Sequence, residues 1–132
     1  VKSCSVLILE DDVEIAESLK RFLDDEKIDV RLYSNAEEAL TGFRRSPADV
    51  ALIDIRLPGL DGIEFLRRLK NDYPLIHTII ITAYPSVENA FTCLASGADD
   101  FVAKPFEPEE LLKLVKLGCE KVKRWKRVLE LE

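Results

Sequence analysis

Four short apolar runs and one alternating stretch divide this chain. The runs are Val6-Leu7-Ile8-Leu9, Val50-Ala51-Leu52-Ile53, Thr78-Ile79-Ile80-Ile81 and Phe101-Val102-Ala103. Brief unbroken apolar segments bounded by polar or turn residues predict strands covered on both faces. Ile28-Asp29-Val30-Arg31-Leu32-Tyr33 alternates strictly instead, which predicts a half-exposed strand at a sheet edge. Between these segments apolar residues recur at three- and four-residue spacing, the signature of helices with one inward stripe. Ile15, Ala16, Leu19, Phe22 and Leu23 mark a helix from about Val13 to Glu26. Ala36, Ala39, Leu40 and Phe43 mark a second, about 36–45, and Ile63, Phe65, Leu66 and Leu69 a third, about 62–72. Val87, Ala90, Phe91 and Leu94 mark a fourth, about 86–95.

Punctuation agrees with these boundaries. Asp12 can cap the first helix with its carboxylate. Pro47 and Pro74 close connections, and Gly97 suits a helix C-terminus. Pro108-Glu109-Glu110 opens a last helix with proline and acids where the helix dipole favours them. The order βαβαβαβαβα with short connections predicts an α/β fold. It is a doubly wound five-stranded parallel sheet, strand order 2-1-3-4-5, with helices on both faces.

That topology concentrates polar residues. Strands 1, 3, 4 and 5 become neighbours, and their carboxyl ends carry Asp11 and Asp12, Asp54, Thr82 and Lys104. Open α/β sheets bind ligands outside these ends, where the winding reverses. Crowded carboxylates repel, and a divalent cation relieves the conflict. Oxygen donors without histidine or cysteine suit Mg²⁺. Lys104 and Thr82 add a cation and a hydroxyl for phosphoryl oxygens, and Asp54 can act as a carboxylate nucleophile. Singly these residues read as helix caps, a loop acid, a strand end and a solvated charge. Their joint placement on adjacent strand ends favours phosphoryl chemistry.

Composition narrows the partners. With 132 residues and a formal charge of -6, the chain is one domain with little general affinity for nucleic acid or anionic membrane. It contains neither a membrane-length apolar run nor a secretory signal pattern, so a cytoplasmic location is expected. Cys4, Cys93 and Cys119 are far apart, and buried free thiols are expected, with a disulfide or metal site the lesser reading. His77, the one histidine, reads as structural.

Leu9-Glu10-Asp11-Asp12, the stretch from Asp54 through Leu57-Pro58-Gly59 to Asp61-Gly62, Thr82-Ala83-Tyr84 and Lys104-Pro105-Phe106 together resemble a receiver domain of two-component response regulators. The resemblance runs from about residue 5 to 117 and is nearest the enhancer-binding, sigma-54-activator type. It implies a flavodoxin-like fold and a phosphoacceptor switch rather than an enzyme in the usual sense. Phosphorylation from small phosphodonors and autodephosphorylation would accompany that role. Asp54 would accept phosphate from a sensor histidine kinase or phosphotransfer protein. Asp12 and Asp54 would ligate Mg²⁺ directly, Asp11 through water, and the Arg56 carbonyl would complete the set. Thr82, Lys104 and the Ala83 N–H would bind the phosphoryl group, and the Lys104–Pro105 bond would be cis. Thr82 and Phe101 would form the switch that reshapes the face of helix 4, strand 5 and helix 5. A haloacid-dehalogenase-like phosphohydrolase needs an acid two residues after its nucleophile, where this chain has Arg56. A degenerate receiver used only for docking is disfavoured by the complete residue set. No glycine pattern for nucleotide phosphates follows the first strand.

The boundary is set at 1–117 for the receiver and 118–132 for an extension of the last helix. Val115, Gly118, Val122, Trp125 and Leu129 follow coiled-coil spacing, and Lys121, Lys123, Arg124, Lys126 and Arg127 coat the other faces. Three readings follow: a terminal helix with a solvated basic face, a homodimerising helix leading to an output domain, or a patch for nucleic acid or a partner. Nucleic acid is otherwise expected only through an output domain absent from this chain.

Overall fold

The computed structural model describes residues 4–55 and 62–130. Strands and helices alternate: β1 (Ser5–Leu9), α1 (Val13–Asp25), β2 (Asp29–Tyr33), α2 (Ala36–Arg45), β3 (Val50–Asp54), α3 (Gly62–Asp72), β4 (His77–Thr82), α4 (Val87–Ala95), β5 (Asp100–Ala103) and α5 (Pro108–Val128). The five strands form one parallel sheet in the order β2-β1-β3-β4-β5. The alternating strand is the edge, as its pattern predicts, and β3 and β4 are buried at every residue.

Side chains alternate across a strand, and the two faces build separate cores. Leu7, Leu9, Ala51, Ile53 and Ile80 meet α2, α3 and Cys93 of α4. Val6, Ile8, Val50, Leu52, Ile79, Ile81 and Val102 meet α1 and α5. Asp12 caps α1 as the sequence suggests, accepting from Ile15 N–H at 3.2 Å; Asn35 accepts from Glu38 N–H at 2.9 Å and Ser86 from Asn89 N–H at 3.0 Å at the starts of α2 and α4. Gly62 lets α3 begin against the end of β3. A Cβ there would lie 2.5 Å from the Asp54 carbonyl oxygen and 2.6 Å from Ile55 Cα, too close for any side chain.

Two expectations need correction. The stripe on α4 does not turn inward: Val87, Phe91 and Leu94 face solvent, and the helix buries only Cys93. Helical periodicity identifies a stripe but not which way it points. Second, Cys4 and Cys119 are not free thiols. They pair as a disulfide across 115 residues of chain, with Cα atoms 5.9 Å apart, while Cys93 remains a buried free cysteine. The pairing arises because α5, packed over β3 and β4, brings Cys119 to the residue just before β1, a long-range contact that cysteine spacing does not encode. His77 is buried, and its Nε2 lies 3.0 Å from Oδ2 of Asp100, a partner distant in sequence.

The last helix is continuous over its 21 residues. Val115, Gly118 and Val122 are buried against the domain itself, so three of the five seam positions are already covered. The ring of His77 occupies the space where a Gly118 Cβ would stand. Lys121 pairs with Asp99 at 3.9 Å and Lys126 with Asp49 at 3.3 Å, whereas Trp125 and Leu129 stay exposed.

Beneath α5, Asp99 ties α3, β4 and α5 together. Lys70 donates to it at 2.8 Å and the Thr78 N–H at 2.9 Å. Burial alone would raise its carboxyl pKa, but the Lys70 and Thr78 hydrogen bonds and the charges of Lys70 and His77 hold it below the ordinary value of 3.8. A depressed acid stabilises the fold above its unfolded pKa and loses that contribution as pH falls through the folded one. Asp99→Asn is therefore expected to cost about 1–3 kcal/mol near neutrality. Urea unfolding should show the gap to the parent protein closing as pH falls below the ordinary carboxylate range. Gly62→Ala should cost a further ~1–3 kcal/mol, because the helix must retreat from the β3 backbone; the same unfolding assay measures it.

Candidate functional site

Strand register assembles the site. Leu9 pairs with Ile53 and Thr82 with Ala103. One step further along, Glu10 comes beside Asp54. The Glu10 N–H donates to the Tyr33 carbonyl at 3.1 Å, so sheet bonding continues past the last residue of β1. Glu10, Asp54 and Lys104 continue the alternation of Ile8, Leu52 and Val102, on the face covered by α1 and α5.

The three side chains interlock. Lys104 Nζ donates to Glu10 Oε1 at 2.6 Å and to Asp54 Oδ2 at 3.3 Å. Glu10 is 2% exposed and Asp54 5%. The Asp12 N–H donates to Glu10 Oε2 at 3.2 Å. Burial, then the neighbouring Asp54, pushes the Glu10 carboxyl up to about 7, against the pull of Lys104 and the Asp12 N–H. Burial also opposes the charge on Lys104, but Glu10 and Asp54 outweigh it and raise its pKa.

Carboxylate oxygens of Glu10, Asp11 and Asp54 lie within 4.8 Å of one another. This set differs from the one read in the sequence. Glu10 joins Asp11 and Asp54, while Asp12 turns its carboxylate to the first turn of α1 as its cap. Register explains the difference: the chain is still in the sheet at Glu10 and has left it by Asp12. Alternation from Ile8 to Glu10, matched to Leu52 and Asp54, was the signal that would have found Glu10. The donors are all oxygen, and two of the three carboxylates are buried, so the cluster fits a hard divalent cation such as Mg²⁺.

Thr82 ends β4 fully buried, its Oγ1 accepting from the Tyr84 N–H at 3.0 Å. Ala83 is exposed beside it. The Lys104–Pro105 bond is cis. Phe101 is half-buried on β5, packed against the core shared with α2 and α3. Arg56 and the Pro58-Gly59 loop lie outside the described residues. A groove of about 630 Å³ opens beside Lys104, walled by Ile15, Leu19 and Phe22 of α1 and by Pro105, Phe106 and Pro108.

The family model for the response regulator receiver domain matches residues 6–116. The response regulator GtcR of Aneurinibacillus migulanus is 41% identical over 108 residues, covering 82% of this chain and 44% of that protein. A putative NtrX-like response regulator of Rickettsia typhi is 33% identical over 129 residues, covering 96% of this chain and 27% of that protein. The chain thus spans half or less of the length of these two curated relatives. Among solved structures, a CheY-like receiver domain protein from Methanospirillum hungatei superposes with a TM-score of 0.88 at 32% identity, covering 92% of this chain and 97% of the other. Among the described residues no helix is long and apolar enough to cross a membrane. The sheet order, the acidic end of the sheet and these matches together establish that the chain belongs to the receiver-domain family of two-component response regulators.

Proposed function

We propose that this receiver is a phosphoacceptor switch in which Asp54 takes a phosphoryl group from a phosphohistidine on a sensor kinase or phosphotransfer protein. The observation that carries this reading is Lys104 Nζ held between Glu10 and Asp54 at the carboxyl end of the sheet. An Asp54 oxygen attacks phosphorus, the P–N bond breaks, and the imidazole leaves with its electron pair. Glu10, Asp11 and Asp54 are the residues that would hold Mg²⁺, which supplies a Lewis acid for the phosphoryl oxygens. Lys104 exchanges a carboxylate partner for a phosphoryl oxygen and so neutralises charge that transfer brings into the site. The Ala83 N–H and the Thr82 hydroxyl complete the clamp. The apolar groove between α1 and the segment after β5 suits the donor protein, because it ends at Lys104.

The switch starts at Thr82. Its hydroxyl oxygen now serves the Tyr84 N–H. Turning the hydroxyl toward a phosphoryl group gives up that bond and opens space near Phe101, which moves inward and alters the α4-β5-α5 face. Such a change needs only two arrangements of similar free energy, with phosphate biasing one. We divide the chain at 117, place it in the cytoplasm, and assign the enhancer-binding type by its likeness to NtrX-like proteins. Homodimerisation through the last helix rests on Trp125, Val128 and Leu129, which are exposed.

Incubation with Mg²⁺ and acetyl phosphate should add one phosphate by intact mass, and Asp54→Asn should abolish the adduct. Lys104→Ala should slow its formation by roughly 10²-fold. No adduct under these conditions would instead favour a docking module. A separate measurement concerns pH. With Glu10 raised from 4.5 to about 7, its contribution to stability is present below 4.5 and is lost as pH rises through about 7. Urea unfolding in chelator should show this loss in the parent protein, and Glu10→Gln should remove it.

A further inference from the structure

The C-terminal half of α5 is joined to the start of the sheet by groups that have no part in phosphoryl chemistry. Cys4, just before β1, meets Cys119, one residue past the glycine on which His77 packs. Both cysteines belong to the core on the α1 and α5 face, whereas Cys93 is buried in the core on the other face. The sheet therefore keeps the third cysteine out of any exchange with the pair. The other anchors of this half-helix are Val122, buried at 3%, and the ion pairs of Lys121 with Asp99 and Lys126 with Asp49. Both lysine side chains are more than two-fifths exposed, and ion pairs of that kind hold little. The sulfur bridge is thus the strong fastening between the helix beyond Gly118 and the body of the domain.

We propose that Cys4 and Cys119 form a reversible dithiol–disulfide couple that sets how firmly the end of α5 is held. A Cα separation of 5.9 Å suits the bonded form. Two buried cysteines also suit the reduced form, since the free thiol packs as a small apolar side chain. The oxidant is a low-molecular-weight disulfide of the glutathione type. One cysteine thiolate attacks it and releases one small thiol. The second cysteine attacks the mixed disulfide and releases the other. Two electrons pass from the cysteine pair to the two small thiols, which also take up the two protons the cysteines lose. The residues are only 7% and 5% exposed, so exchange proceeds through transient lifting of α5. Reduced, the turns from Gly118 onward open more often. Oxidised, they remain on the sheet.

The test equilibrates the full chain in glutathione buffers from reducing to oxidising, quenches in acid, and alkylates under denaturing conditions before intact mass. Expected are three alkyl groups on the reduced chain and one, on Cys93, on the oxidised chain. In parallel, amide hydrogen exchange over 118–128 should quicken about tenfold or more on reduction, with the β3 and β4 amides unchanged. Cys119→Ser and, independently, Cys4→Ala should show the fast exchange in both buffers. Three alkyl groups in every buffer would overturn the proposal. So would a bond that forms and breaks while exchange over the helix stays the same. Neither result bears on phosphate uptake by Asp54, which is read by its own mass shift.

Discussion

Two buried carboxylates share one ammonium, and the rest of this structure is arranged to keep them there. Glu10 and Asp54 are adjacent because β1 and β3 are paired in register, and Lys104 reaches both because β5 delivers it to the same face. Such a trio does not hold itself together in a low-dielectric setting. Like charges repel, and burial disfavours every ionised form. The hydrophobic faces above and below the sheet supply the stabilisation that offsets this tension. Gly62 contributes by letting α3 start against the Asp54 backbone, and Asp12 by closing the first turn of α1.

The placement of tension at strand ends has a functional logic. A cation or a phosphoryl group changes the charge balance more sharply where opposite charges already compensate only in part. Lys104 has two acceptors and can exchange one of them without being left bare. The Thr82 hydroxyl oxygen accepts from the Tyr84 amide, which fixes where its own O–H can point. The site therefore combines a ready cation with a hydroxyl whose oxygen is already held in place.

Much of this was legible in the residue pattern because it depends on local periodicity and on topology. Unbroken apolar runs identify covered strands, the alternating run identifies the edge, and the winding rule brings Asp54, Thr82 and Lys104 to one end. What was illegible depends on register and on long-range packing. A shift of two residues separates Glu10 from Asp12, and only pairing with β3 decides which one lies beside Asp54. The meeting of Cys4 with Cys119 needs α5 docked on the sheet beside the start of β1, which no local signal reports. The α4 stripe was visible but its direction was not. Val87, Phe91 and Leu94 share a helical side whether that side faces the sheet or water.

That outward stripe has a consequence for the energy of the domain. An amphipathic helix is ordinarily held down by its greasy side, yet α4 keeps only Cys93 in the interior. Displacing it uncovers little new apolar surface, so water resists its movement far less than it resists movement of α2 or α3. The same residues leave α4 with an open hydrophobic account at rest: any surface that covers Val87, Phe91 and Leu94 gains free energy that the isolated domain has not yet collected. Low resistance to displacement and an uncovered apolar side thus coincide in one short helix, so a contact made there would bias where that helix sits.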